Sequence, residues 1–187
     1  PLAANDLYVG DDPARGDYDR GVFGVGRVDG DNRVLGAGAD GMGVVADTLE
    51  DGHWLLAGHN APTNAWVTDD VPGGLARWQR VWYLDATGDL PATTLLFDHQ
   101  DGGLAIPDPD RPLALLYSPT NDFDFSLLAE DPTVYGGLAM FDLAAGGLQD
   151  GYYTLATIPE PSTLALALPV LLALGVWRSR RRSRWGK

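Results

Sequence analysis

Residues 77–84 read Arg-Trp-Gln-Arg-Val-Trp-Tyr-Leu. As an extended strand this stretch sends Trp78, Arg80, Trp82 and Leu84 to one face and Gln79, Val81 and Tyr83 to the other, because successive side chains alternate. Working outward from it, no run of 12 or more residues in 1–158 keeps a helical period. Short apolar or alternating runs recur instead, and strands are expected at Val22–Val28, Gly43–Thr48, His53–Gly58, Arg77–Leu84, Thr93–Phe97, Leu113–Ser118, Phe123–Leu128, Leu138–Leu143 and Tyr152–Thr157. Turn signals punctuate them: Asp29-Gly30, Asp40-Gly41, Asp51-Gly52, Pro72-Gly73-Gly74, Asp101-Gly102 and Asp150-Gly151. Short strands without helical crossovers predict an all-β chain, an antiparallel β-sandwich of jelly-roll or Ig-like architecture over residues 20–157.

Composition narrows the chemistry. The chain of 187 residues is 45% hydrophobic, enough for a buried core. It has no cysteine, which removes disulfides, thiolate metal sites and a cysteine nucleophile, and its three histidines (His53, His59, His99) are too few for a histidine-rich cluster. A formal charge of −13 disfavours contact with phosphate backbones, so no nucleic-acid partner is expected.

That charge is divided. Residues 1–158 hold seven arginines against 25 acids, a net of −18, whereas residues 159–187 carry a net of +5. From Pro161 to Trp177 run 17 residues without an ionisable side chain, and Leu164 to Leu168 cover every direction around a helix axis. Such a helix is about 25 Å long at roughly 1.5 Å per residue, slightly short of a bilayer core of about 30 Å. Snorkelling arginines and local thinning absorb that mismatch. Trp177 stands at the boundary, followed by Arg178, Arg180, Arg181, Arg182 and Arg184, which hold the tail on the cytoplasmic side. Pro169 kinks such a helix without preventing it from spanning.

Upstream, Pro159-Glu160-Pro161 denies the chain a helical backbone and leaves it extended. The order Pro-Glu-Pro, Leu/Ala-rich span, arginine cluster resembles the PEP-CTERM sorting signal of Gram-negative envelope and exopolysaccharide-associated proteins. The resemblance covers residues 158–187: motif 159–161, transmembrane helix 162–177 and Arg-rich tail 178–187. It implies recognition of Pro159, Glu160 and Pro161 by exosortase, a membrane-embedded cysteine-protease-like enzyme, with cleavage nearby. The body would stand outside the inner membrane (N-out, C-in) before processing, and at the cell surface or in the exopolysaccharide matrix afterwards. Proteins of that kind begin with a secretion signal. Pro1 is not a translation start and residues 1–30 lack an apolar h-region, so residues 1–19 are expected to be the N-terminal segment of a truncated chain.

The body is similar to a β-sandwich module of uncharacterised role in secreted bacterial surface proteins. The matching positions are Gly58-His59-Asn60, Arg80, Trp82, Thr87-Gly88, Phe97 and the run Gly151 to Ala156. That likeness implies the fold and carries no activity.

Candidate chemistry in the body is thin. Gly36-Ala37-Gly38-Ala39-Asp40-Gly41 spells G-x-G-x-x-G, but Asp51-Gly52 follows too soon for a crossover helix, and a glycine-rich turn is expected. Asp29, Asp31 and Asp40 stand among glycines and form a candidate calcium site, against the simpler reading of turn-forming aspartates. No other cofactor is expected. Trp78, Arg80 and Trp82 on one face are core by the usual behaviour of strand aromatics, with a ligand platform as the alternative. His59-Asn60 and Asp98-His99 offer bases without a serine elbow, so no enzymatic activity is expected. Arg15-Gly16-Asp17 is a chance tripeptide in a chain of this composition. The sequence therefore predicts an exported structural or interaction module, with a carbohydrate-binding module, calcium-assisted or not, as the alternative.

Overall fold

Runs of apolar and small residues, broken every few positions by Gly, Asp and Pro, fold into strands and almost nothing else. The structure, a computed structural model, describes residues 8–10, 14, 16–29, 32–60, 64–101, 103–105 and 112–158. Among them are β1 (Arg20–Val28), β2 (Asn32–Val34), β3 (Gly36–Ala39), β4 (Met42–Ala46), β5 (Trp54–His59), β6 (Trp66–Val67), β7 (Ala76–Trp78), β8 (Trp82–Thr87), β9 (Thr93–Asp98), β10 (Leu113–Ser118), β11 (Ser126–Glu130), β12 (Thr133–Tyr135), β13 (Leu138–Leu143) and β14 (Gly151–Thr157). The one helical element among the described residues is a 3-10 turn at Pro72–Gly74.

A nine-stranded sheet A runs β11-β10-β14-β8-β5-β1-β2, with β7 beside β14 and β6 beside β7; a five-stranded sheet B runs β12-β13-β9-β4-β3. Every pairing is antiparallel. At each margin one stretch of chain changes sheet: β2 passes into β3 through Leu35, and β11 into β12 through Asp131-Pro132.

The sheets face each other across one apolar core. Val25, Leu55, Trp82, Leu84, Leu115, Tyr153 and Leu155 of sheet A meet Met42, Val44, Leu95, Phe97, Ala139 and Phe141 of sheet B. Aromatic rings bridge the layers edge to face: Trp78 to Trp82 (centroids 4.9 Å), Trp82 to Phe97 (5.6 Å) and Phe97 to Phe141 (6.0 Å). Each such pair adds about 0.5–1.5 kcal/mol beyond its buried area.

Sheet A is also covered behind. Tyr8, Tyr18, Leu75, Phe125 and Tyr152 pack over Val81, Tyr83, Ala114 and Leu116, so residues ahead of Arg20 belong to the same body. Tyr18 touches Tyr152 at 5.2 Å and Tyr83 at 6.1 Å. Burial on both faces explains why all seven residues of β14 are buried and its sequence does not alternate.

Three expectations need correcting. The predicted strand Arg77–Leu84 is two strands, because Gln79–Val81 bulges away from β14 between the pairs Arg77↔Ala156 and Trp82↔Tyr153. The Thr154 hydroxyl spans the gap, 2.9 Å from the carbonyls of both Trp78 and Arg80. The alternation survives the break: Trp78, Trp82 and Leu84 enter the inter-sheet core, and Val81 and Tyr83 the outer cluster. The strand expected at Phe123–Leu128 starts only at Ser126, since Phe123 adopts φ 59° and stacks on Phe125. The glycine-rich turn expected at residues 36–41 is mostly strand. Gly36–Ala39 pairs with β4, and only Asp40 (φ 51°) and Gly41 (φ 91°) turn, as a two-residue hairpin with both central φ positive demands.

Burial pushes the hydroxyl pKa of Tyr18 and of Tyr153 well above the ordinary tyrosine value. The folded state therefore favours the neutral phenols. Their contribution to stability is whole below the unfolded value of about 10 and is lost as pH climbs through the raised folded values. Urea midpoints should fall above about pH 10, and Tyr153→Phe should flatten that fall. Separately, Thr154→Val should destabilise by about 1–3 kcal/mol in urea unfolding, because the carbonyls of Trp78 and Arg80 lose the hydroxyl proton they share, with Arg77 Nη1 still donating to Trp78; an unchanged midpoint would contradict this.

Candidate functional site

The residues proposed from sequence separate once folded. Trp78 and Trp82 are fully buried and Arg80 is 6% exposed, so the suggested platform is core and presents no face to a ligand. Arg80 lies over both indoles, its guanidinium carbon 5.1 Å from the Trp78 ring and 5.8 Å from Trp82. It donates to the Asp40 carbonyl. Burial lowers the Arg80 pKa from its ordinary value, and Asp40 offsets part of that.

Asp40 ties the sheets together. Its carboxylate stands 3.0 Å from Nε2 of buried His59. The approach depends on a bulge in β1, where Gly21 takes φ 55° and a side chain would strike that carboxylate. Asp40, His59, Arg80 and the paired tryptophans thus form a polar clasp at one end of the sandwich. These contacts tie the β3–β4 hairpin of sheet B to the end of sheet A.

The calcium grouping does not assemble. Asp40 sits over Gly21 at one end of β1, and Asp29 follows Val28 at the other. At roughly 3.3 Å per residue they are about 25 Å apart, far beyond the reach of one ion. Asp31 lies outside the described residues. So do Pro159, Glu160, Pro161, the span 162–177 with Trp177, and Arg178, Arg180, Arg181, Arg182 and Arg184.

The accessible aromatic is one that strand spacing did not select. The outer cover of sheet A stops short of β1, β2 and the start of β5. An open cleft of about 430 Å³ remains there, lined by Gly24, Gly26, Val28, Val34, Trp54 and Leu56. Register pairs Gly26 with Trp54 and Gly24 with Leu56. A Cβ on Gly26 would fall into the indole ring, and one on Gly24 into the Leu56 side chain. Gly26 therefore leaves room for the Trp54 indole and Gly24 for Leu56, and the half-buried Trp54 lines the cleft. Its indole N–H has no acceptor among the described residues. Thr87 stands opposite Trp54 and Asp85 opposite Leu56 in the strand register, and the charged residue that lines the cleft is Arg33. The signal was present as Gly24-Val25-Gly26, two glycines on one face of a strand, but its partner could be known only from the β1–β5 register.

A second cleft at one end of the body, lined by Thr48, Glu50, His53 and Asp89, brings two carboxylates near an imidazole. No group of three metal-ligating side chains forms there or elsewhere among the described residues.

No protein-family model, curated protein or solved structure matches this chain.

Proposed function

We propose that this chain is an exported cell-surface or extracellular-matrix protein, its sandwich serving as a structural or interaction module and its last 29 residues as a sorting signal. The observation that carries the reading is the place of β14. This strand lies inside sheet A, with β10 on one side and β7 and β8 on the other. It ends at Thr157, and the amide of Ile158 still donates to the carbonyl of Pro112 at 2.9 Å. Pro159-Glu160-Pro161 begins at the next residue. Cleavage at that motif would leave every strand of the described residues in the mature chain, which suits a processing signal that follows the domain.

In this reading residues 162–177 form the membrane-spanning helix and the arginines stay inside, while the jelly-roll or Ig-like body stands outside. An exosortase-type enzyme of the inner membrane then releases or transfers the body toward the exopolysaccharide. The test is the mass of the mature protein recovered from its native host. The reading predicts a C-terminus close to residues 159–161 and loss of the span; a mature chain retaining residues 163–187 would overturn it. Replacing the five clustered arginines by glutamate should likewise abolish N-out insertion, read by protease protection of the body.

Carbohydrate binding is a second reading, favoured by Trp54 in place of Trp78. A half-buried indole lining an open cleft suits the apolar face of a pyranose ring. Affinity electrophoresis through the host's polysaccharide should show retardation that Trp54→Ala removes while the melting curve is kept. Equal retardation of the variant would contradict it.

A further inference from the structure

The exposed large apolar side chains are not scattered. Among the described residues they are Val22, Val34, Val45, Leu127, Leu128, Val134 and Tyr135, the last 80% exposed. The first three belong to β1, β2 and β4, at one margin of the sandwich; the other four belong to β11 and β12, at the opposite margin. Monomeric proteins usually blunt such edges with lysine or proline. β2, β3, β11 and β12 contain neither, and their charges are single: Arg33 on β2 and Glu130 on β11.

The margins also differ in charge. Strands β1 to β4 contain Arg20, Arg27 and Arg33 and no carboxylate. Arg33, on edge strand β2, is exposed and makes no ion pair among the described residues. Asp29 and Asp40 stand only at the hairpin tips, Asp40 already engaged by His59. At the far side, residues 112–158 contain no lysine, arginine or histidine, and the margin there carries Glu130 and Asp131 beside Asp122 and Asp124.

Topology makes the two margins compatible. Sheet A alternates direction over its seven-strand path, so β11 and β2 run the same way; β12 and β3 do so over the five strands of sheet B. A copy set at the margin and turned to follow the accumulated twist of the sheets therefore lays β11 beside β2 and β12 beside β3 with the same chain sense. A two-fold arrangement would instead oppose Arg33 to Arg33 or Glu130 to Glu130. We propose that copies of this chain associate side by side, the β11/β12 margin of one against the β2/β3 margin of the next, in an open row.

The interface is heterologous, and a heterologous contact whose rotation does not close a ring grows by addition. Contacts are short, three to five residues per edge strand, which makes each junction weak and reversible. The body's net acidity opposes approach, but screening confines that repulsion to about 8 Å at physiological salt, while ion pairs at the contact persist. The inference uses the folded strands alone and holds wherever the chain is delivered, so it can fail without the sorting reading failing.

The test uses the full chain in detergent, followed by sedimentation velocity across a concentration series. The wild-type protein should sediment as a ladder of species growing with concentration. Arg33→Glu alone and Glu130→Arg alone should each remain monomeric, because each opposes like charges at the junction. An equimolar mixture of the two variants restores opposite charges at every junction and should recover the ladder. Wild-type protein that stays monomeric, variants that associate as the wild type does, or a mixture no more associated than its components would each overturn the proposal.

Discussion

The contact on which this structure rests is the run of rings that crosses between its sheets. Trp78 meets Trp82, Trp82 meets Phe97, and Phe97 meets Phe141, each edge to face. The first two rings belong to sheet A and the last two to sheet B, so the run is a direct mechanical link between layers. Arg80 caps it with cation–π contacts and reaches the Asp40 hairpin, which returns to His59. A charged guanidinium is held in the core because two indole faces, a carbonyl and a nearby carboxylate replace its water. Loosening this link would separate the hairpin of sheet B from the end of sheet A.

Around that link the chain is organised so that the last strand of the described residues is an inner one. β14 packs on both faces, joins the two halves of sheet A, and closes the domain just before the Pro-Glu-Pro triplet. The same economy governs the margins, where single stretches of chain cross from one sheet to the other and leave short edges behind. Core, chain exit and margins are therefore separate regions of the described structure.

Much of this was legible in the sequence. Leu113–Ser118 and Leu138–Leu143 are strands with the bounds their apolar runs suggest, and the two faces of residues 77–84 sort as alternation requires. The rest depended on non-local pairing. The break at Gln79–Val81 exists because Thr154, far along the chain, satisfies the freed carbonyls. Gly36–Ala39 reads as turn by composition, yet β4 supplies the ladder that makes it a strand. Trp54 and Trp78 look alike in sequence; Trp78 faces sheet B in the inter-sheet core, whereas Trp54 lines the open cleft that the outer cover leaves. Asp29 and Asp40 stand close in number and are parted by the length of β1.

The most direct measurement is the thermal unfolding of a chain ending at Ile158, beside that of the full chain in detergent. With the ring ladder and β14 both retained, the account predicts one cooperative transition within about 2 °C of the full-length midpoint. A shortened chain that melts without cooperativity, or more than about 10 °C lower, would show that the domain is not complete where β14 ends.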